Sequence, residues 1–132
     1  MVVVALFLAA CSRFALDKRW REERYLLIAI DSESQTALVL DADGAPTLVG
    51  PTVFSIGANE RYIVVKQHPA TDQWAAHFDR SVTNYFVVER SSSTDFRERA
   101  KGVHGPLSKG EYDKLAASAA LPSFTKTFDE LK

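Results

Sequence analysis

Short apolar runs separated by polar, turn-forming residues follow one another from residue 25 onward, a pattern typical of β-strands joined by tight turns. The runs of strand length cover residues 25–30, 36–40, 46–49, 52–57, 61–67 and 84–89. Between the second and third runs stands an Asp43-Gly44 pair, which suits the positive φ of a tight turn. The pattern predicts an antiparallel meander of five to six strands.

The clearest hairpin joins residues 52–57 to residues 61–67 through Ala58, Asn59 and Glu60. In the second of these strands apolar residues occur at both odd and even positions, so both faces of the strand are partly apolar. This is expected of a central strand that is covered on both sides.

Two stretches lack a regular pattern. Pro69 and Asp72 predict a loop after the hairpin, and residues 73–78 within that region suit either a helix or a strand, of which a strand is favoured. Residues 91–102 are polar and charged and predict a loop with one helical turn around Phe96.

A helix is predicted to begin after Ser108, because Ser108 and Glu111 have the spacing of a capping box. Apolar residues then fall on one helical stripe, and Pro122 ends the run. The stripe consists of Tyr112, Leu115, Ala116 and Ala119. The predicted fold is therefore α+β, an antiparallel meander with a C-terminal helix packed on it, formed by residues 25–132 as a single globular domain.

Composition and charge limit the function classes. The chain has 132 residues, of which 46% are hydrophobic, so one folded domain is expected and disorder is not. Sixteen basic and seventeen acidic residues give a net charge of −1. Proteins that bind nucleic acid usually carry a clustered basic excess, so no nucleic-acid partner is expected.

The N-terminal residues have the features of an export signal. Residues 2–10 form an apolar run, about half the length that a membrane-spanning helix needs, and small residues precede Cys11. The sequence Leu8-Ala9-Ala10-Cys11 resembles the lipobox of bacterial lipoproteins. That resemblance implies removal of residues 1–10 and attachment of a lipid to Cys11. The alternative is that residues 2–8 form a buried first strand and Cys11 is a core residue.

A lipidated Cys11 would make the membrane a partner of this protein and place it in the cell envelope. The chain contains one cysteine, which agrees with modification because no intramolecular disulfide can form. Residues 11–24 are then a lipidated N-terminus and tether. Ser12 does not resemble the aspartate-type retention signal of inner-membrane lipoproteins. In a bacterium with two membranes this implies an outer-membrane protein facing the periplasm.

The body of the chain carries a second resemblance. Residues 61–69, residues 84–89 and the Gly105-Pro106-Leu107-Ser108 sequence, with Glu111 and Tyr112 after it, resemble a family of small uncharacterised bacterial lipoproteins. The family has no assigned activity and no catalytic residues to transfer. The resemblance supports the predicted fold and the predicted location.

Candidate chemistry is sparse. His68, His77 and His104 are spaced unlike any compact metal-binding pattern, so neither a metal site nor another cofactor is predicted. No catalytic set is predicted either, because no nucleophile has a base and an orienting group nearby in sequence. Lys66 and His68 are the candidate ligand-binding residues, because they end a predicted strand and would project polar groups at a sheet end.

Two functions remain open. The favoured one is a membrane-anchored envelope lipoprotein, a non-enzymatic module that binds an envelope protein. The alternative is an envelope hydrolase or a small-ligand-binding protein whose site is assembled from dispersed residues. That alternative requires two of the three histidines to share a cleft with a carboxylate.

Overall fold

A computed structural model describes residues 17–73 and 75–132, which form two antiparallel sheets and two short α-helices. The first sheet has the strand order β1-β2-β3-β4, and its strands are β1 Asp17–Glu22, β2 Tyr25–Ala29, β3 Thr36–Leu40 and β4 Thr47–Val49. The second sheet has the order β8-β7-β6-β5-β9, and its strands are β5 Val53–Ala58, β6 Tyr62–Gln67, β7 Asn84–Glu89, β8 Val103–Leu107 and β9 Lys126–Thr127. The helices are α1 Phe96–Lys101 and α2 Lys109–Ser118.

The antiparallel meander and the helix near the C-terminus are confirmed, but the strands divide into two sheets. The strand predicted for residues 73–78 is wrong, because the described part of this region contains only an isolated bridge between Ala70 and Phe78. Residues 96–101 form α1, more than the single turn predicted around Phe96, and the Asp95 side chain caps that helix by accepting from the Arg97 amide.

Three strands of the structure were not predicted. β1 lies within the predicted tether, and it pairs with β2 from Asp17 opposite Ala29 to Glu22 opposite Tyr25. It forms an edge of its sheet, where charged residues are tolerated. β8 contains Gly105 and Pro106, which depress strand propensity, and β9 is only two residues long.

The main core lies between the two sheets. Alternate residues of the strands point into it, including Leu27 and Leu38 of the first sheet and Ile56, Ile63 and Val88 of the second. The C-terminal residues Phe128 and Leu131 belong to the same cluster. The two sheets therefore share one hydrophobic core, and each keeps a second face on the outside.

The outer faces are also apolar. The outer face of the first sheet consists of Leu26, Ile28, Ala37 and Val39, all buried. The outer face of the second sheet is formed by Tyr62, Val64, Tyr85 and Val87, and it meets α2 through Tyr112. These faces explain why β2, β3 and β6 are apolar at both odd and even positions.

The segment after α2 returns to the second sheet and pairs with β5 as β9. This approach needs a glycine, because a Cβ on Gly57 would lie 1.9 Å from the carbonyl oxygen of Ser123. The Phe128 amide then donates to the Phe54 carbonyl at 2.8 Å. In the part of the chain that the structure describes, no helix is long and apolar enough to cross a membrane.

Candidate functional site

The position of α2 is fixed by its N-terminal cap. The Glu111 amide donates to Ser108 Oγ at 3.1 Å, and the Ser108 amide donates to Glu111 Oε1 at 3.0 Å. The predicted capping box is therefore present. The hydrogen bonds from Ser108, the backbone one foremost, hold the pKa of the Glu111 carboxyl below its usual range.

One end of the outer face of the second sheet is filled by aromatic rings. The Tyr112 ring lies 4.8 Å from the Tyr85 ring and 5.9 Å from the Phe124 ring. Partial burial raises the pKa of the Tyr112 hydroxyl. The Lys66 ammonium lies 4.5 Å from the centre of the Phe124 ring, a cation–π distance, so this candidate ligand-binding residue is packed into the cluster.

The other end of this face is open, and α2 forms one wall of a groove there of about 470 Å³. Four apolar side chains line it: Tyr62, Val87, Leu107 and Leu115. Four ionisable side chains also line it: Glu89, His104, Glu111 and Lys114. α2 packs on this face through Tyr112, and Tyr62 and Val87 lie where the face borders the groove.

The ionisable groups of the groove are incompletely paired. His104 Nε2 lies 3.8 Å from Glu89 Oε2, which is too long for a hydrogen bond and close enough for an ion pair when the imidazole is protonated. Glu111 is held by the helix cap. Lys114 makes no ion pair with any of the described residues. A molecule that enters the groove would therefore contact apolar side chains and charged groups able to form new hydrogen bonds or ion pairs.

His68 lies on the other side of the second sheet from Lys66. Its side chain is 3% exposed, and its ring stacks on Phe54 at a centroid distance of 4.1 Å. Nδ1 donates to the Val82 carbonyl at 2.7 Å, while Nε2 has no hydrogen-bond partner among the described residues. The structure therefore separates the two predicted ligand-binding residues and leaves both outside the lining of the groove.

The three histidines lie in three different surroundings. His77 is exposed beside Asp72, with Nδ1 2.8 Å from Oδ2, and His68 is in the core. Only His104 lines the groove, together with Glu89 and Glu111. Within residues 17–73 and 75–132, no three His, Cys, Asp or Glu side chains form a group able to hold a metal ion. Cys11, the predicted lipidation site, lies outside the described residues.

The groove was missed from the sequence because its residues come from four separate elements. Tyr62 is on β6, Glu89 on β7, His104 on β8 and Leu115 on α2. The sequence did indicate one wall of the groove, since Leu115 belongs to the apolar stripe predicted for the helix. Finding the groove also required the pairing of Tyr62 with Glu89 and of Val87 with His104.

No curated protein and no solved structure matches this chain. Residues 22–129, most of the chain and nearly all of the two-sheet body, match the family described as protein of unknown function, DUF3997. The chain therefore belongs to the DUF3997 family.

Proposed function

We propose that this DUF3997 protein is a membrane-anchored envelope lipoprotein that acts as a non-enzymatic interaction module, and that the groove beside α2 binds its protein partner. The observation that carries the proposal is a groove on an apolar sheet face, lined by Tyr62, Val87 and Leu115. The rest of that face is closed by aromatic packing.

The groove has the size and lining of a binding site. A volume of about 470 Å³ falls in the usual range for small sites, roughly 300–1,000 Å³. An apolar centre excludes water, and a polar rim sets the orientation of a partner. The Leu107 and Leu115 side chains would meet an apolar anchor residue, while Glu89 and Lys114 would select charged neighbours of that anchor.

The lipobox Leu8-Ala9-Ala10-Cys11 supports the anchor. β1 begins at Asp17, so residues 17–22 of the predicted tether belong to the first sheet. A lipid on Cys11 would therefore hold the domain closer to the membrane surface than a tether ending at residue 24 would allow.

The anchor is tested by fractionation of cells that produce the full chain. Wild-type protein should sediment with membranes and incorporate a palmitate analogue, because two or more acyl chains give stable attachment. The Cys11→Ala variant should move to the soluble fraction, whereas Ser12→Ala should behave as wild type. Unlabelled, soluble wild-type protein would contradict the anchor.

The groove is tested by photo-crosslinking in the producing cell. A photoreactive residue at Leu115 should yield one reproducible protein adduct, because this position lines the groove. The same residue at Ser118, exposed on the same helix and outside the groove lining, is the matched control. Equal adduct yields from both positions, or no protein adduct from Leu115, would contradict the proposal.

The condition set for a hydrolase, two histidines in one cleft with a carboxylate, is not met, because His104 alone of the three lines the groove. The His104–Glu89 pair leaves small-ligand binding in the same groove as the second candidate. Native mass spectrometry of the purified protein separates the two candidates. A small molecule retained by wild type and lost in Leu115→Glu would favour the ligand, and its absence beside a protein adduct would favour the interaction module.

A further inference from the structure

The helix α1 carries a buried arginine without a carboxylate partner. Arg99 is 5% exposed, and it forms no ion pair with any of the described residues. Buried charges are normally paired, because the loss of hydration must be offset by a counter-charge. Arg90 follows this rule, since its side chain is 10% exposed and binds the carboxylates of Glu22 and Glu23. Arg99 is therefore the exception that needs a partner.

Tyr25 and the segment before α1 hold Arg99 in place. The Ser91 amide donates to the Tyr25 hydroxyl at 3.0 Å, which ties this segment to the first sheet. The Arg99 guanidinium lies 5.1 Å from the centre of the Tyr25 ring, and its Nε donates to the Ser93 carbonyl at 2.5 Å. The terminal nitrogens Nη1 and Nη2 have no hydrogen-bond partner among the described residues, and neither is fully enclosed. Two nitrogens of a buried cation are thus available to a ligand.

Arg99 lines a small pocket between α1, the turn before β2 and the turn after β3. Arg24, Asp41 and Thr94 also line this pocket. The pairing of β2 with β3 places Arg24 beside Asp41, whose amide donates to the Arg24 carbonyl at 2.7 Å. Two arginines from separate parts of the chain therefore meet at one pocket.

Positive charge is in excess at this pocket. Arg24 is exposed and forms no ion pair with the part of the chain that the structure describes. Among the described lining residues Asp41 supplies the one carboxylate, and Arg21 already binds it at 2.8 Å. Three arginines thus face one carboxylate, which leaves two positive charges uncompensated. A phosphate group, which carries about −1.5 to −2 at pH 7, matches this excess better than a carboxylate does.

The size of the pocket limits how such a group can bind. A cavity of about 10 Å³ has room for one oxygen-sized atom. One phosphate oxygen would enter it and accept from Arg99, whose rigid N–H groups suit phosphate oxygens. The other oxygens would remain outside the cavity, within reach of the exposed Arg24 and Thr94 side chains. The site therefore fits a phosphate bound at the surface by one buried contact.

We propose that Arg99 and Arg24 bind a phosphate dianion in this pocket, either free phosphate or the terminal phosphate of a monoester. A bound phosphate would join α1 to the turn before β2, because the two arginines belong to these two parts of the chain. The pocket shares no described lining residue with the groove beside α2, so the proposal does not depend on the proposed function.

Binding is tested by NMR on the full 132-residue chain at about pH 7 and constant ionic strength. Inorganic phosphate or glycerol 3-phosphate should produce saturable shifts of the Arg99 Nε–H and the Thr94 amide, and should leave the Leu115 amide of the groove unchanged. Tighter binding of the ester would identify a monoester as the ligand, and tighter binding of inorganic phosphate would identify free phosphate. No saturable shift with either compound, or equal shifts with acetate, would overturn the proposal.

Variants identify the residues that bind. Arg24→Gln removes an exposed donor and should weaken phosphate binding about tenfold, as expected when a hydrogen bond to a charged group is lost. Arg99→Lys keeps the charge, loses the forked N–H groups and should weaken binding at least as much. The matched control is Arg97→Gln, exposed on α1 and outside the pocket lining, which should bind as wild type does. Equal weakening by Arg97→Gln and Arg24→Gln would overturn the proposal.

A sedimentation assay separates the phosphate dianion from a membrane surface. The phosphate of phosphatidylglycerol is a diester with a single charge, so vesicles of this lipid should not sediment the full chain when Cys11→Ala prevents lipidation. Sedimentation that Arg24→Gln abolishes, together with no binding of free phosphate or of the ester, would assign the pocket to a lipid headgroup and overturn the proposal.

Discussion

The two outer faces of this protein differ in how they are covered. The outer face of the second sheet meets α2 and the segment after it, through the rings of Tyr112 and Phe124. The outer face of the first sheet is aliphatic and meets only Ala45 among the described hydrophobic residues. Both sheets share one core, so the difference arises from the chain that flanks them. α2 and the segment after it close part of the outer face of the second sheet and leave the groove beside them.

The C-terminal segment contacts both sheets. Lys126 Nζ donates to the Arg19 carbonyl of β1 at 2.8 Å, and β9 pairs with β5. The Arg19 guanidinium binds the Glu130 carboxylate and lowers the pKa of that group. Phe128 completes the core between the sheets. The segment that closes the second sheet thus also contacts an edge of the first.

The largest expected effect comes from a substitution at Gly57 in β5, which the segment after α2 approaches closely. A Cβ at this position would collide with the Ser123 carbonyl oxygen, so Gly57→Ala should displace β9 and loosen Phe128. We expect a loss of about 3 kcal/mol in the free energy of unfolding, measured by urea denaturation.

The control is Gly110→Ala in α2, where the nearest atom to a new Cβ is Ser108 Oγ at 4.0 Å. Alanine is the better helix former, so this variant should gain about 0.5–1 kcal/mol. If Gly57→Ala unfolds at the wild-type urea concentration, the close approach of the C-terminal segment is not required for stability.

The next effect tests whether the outer face of the first sheet is truly covered. Ile28 is 1% exposed, so Ile28→Ala should cost about 2 kcal/mol, as expected for a buried side chain. Ile30 directly follows β2 and is 40% exposed, so Ile30→Ala should cost less than about 0.5 kcal/mol. Equal, small losses in thermal unfolding would show that the face is open to water.

The sequence predicted the central strands because their signals are local. Residues such as Val64 and Val87 lie in apolar runs bounded by turn residues, and the hairpin around Asn59 follows from its composition. The Asn59 side chain accepts hydrogen bonds from the Arg61 and Tyr62 amides, as a turn-forming residue does.

The unpredicted elements depend on contacts between distant residues. β9 becomes a strand because it pairs with the edge of β5, and β1 becomes a strand because it pairs with β2. Lys66 and His68 were correctly placed near the end of a strand, but the surroundings of each come from other parts of the chain. Phe124 lies beneath the lysine, and Phe54 stacks on the histidine. No spacing within residues 66–68 contains that information.

A smaller effect tests whether the N-terminal cap of α2 holds the wall of the groove in place. Ser108→Ala removes the hydroxyl that accepts from the Glu111 amide and should cost about 1 kcal/mol in thermal unfolding. Amides in the first turn of α2 should exchange faster, since the wall formed by Leu115 depends on this helix. Ser118→Ala, at the other end of the helix and exposed, is the control and should be close to neutral. Unchanged amide exchange in Ser108→Ala would show that the wall of the groove does not depend on the helix cap.

The smallest expected effect is a loss of stability at low pH. Hydrogen bonds from Ser108 keep the pKa of Glu111 below the ordinary glutamate value of 4.5, so the ionised form stabilises the folded state. This contribution is complete above pH 4.5 and is lost as the pH falls through the lowered pKa. The Ser108 amide proton donates to this carboxylate, and its chemical shift should follow the titration.

Glu111→Gln keeps an acceptor oxygen for the Ser108 amide but cannot titrate. In this variant the amide shift should stay flat on acidification, whereas in wild type it should move below pH 4.5. The readout must be local, because the pKa values of Asp79 and Glu130 are also lowered and add to any global pH dependence. A shift that still moves in Glu111→Gln would mean that another carboxyl controls the start of α2, and with it the wall of the groove.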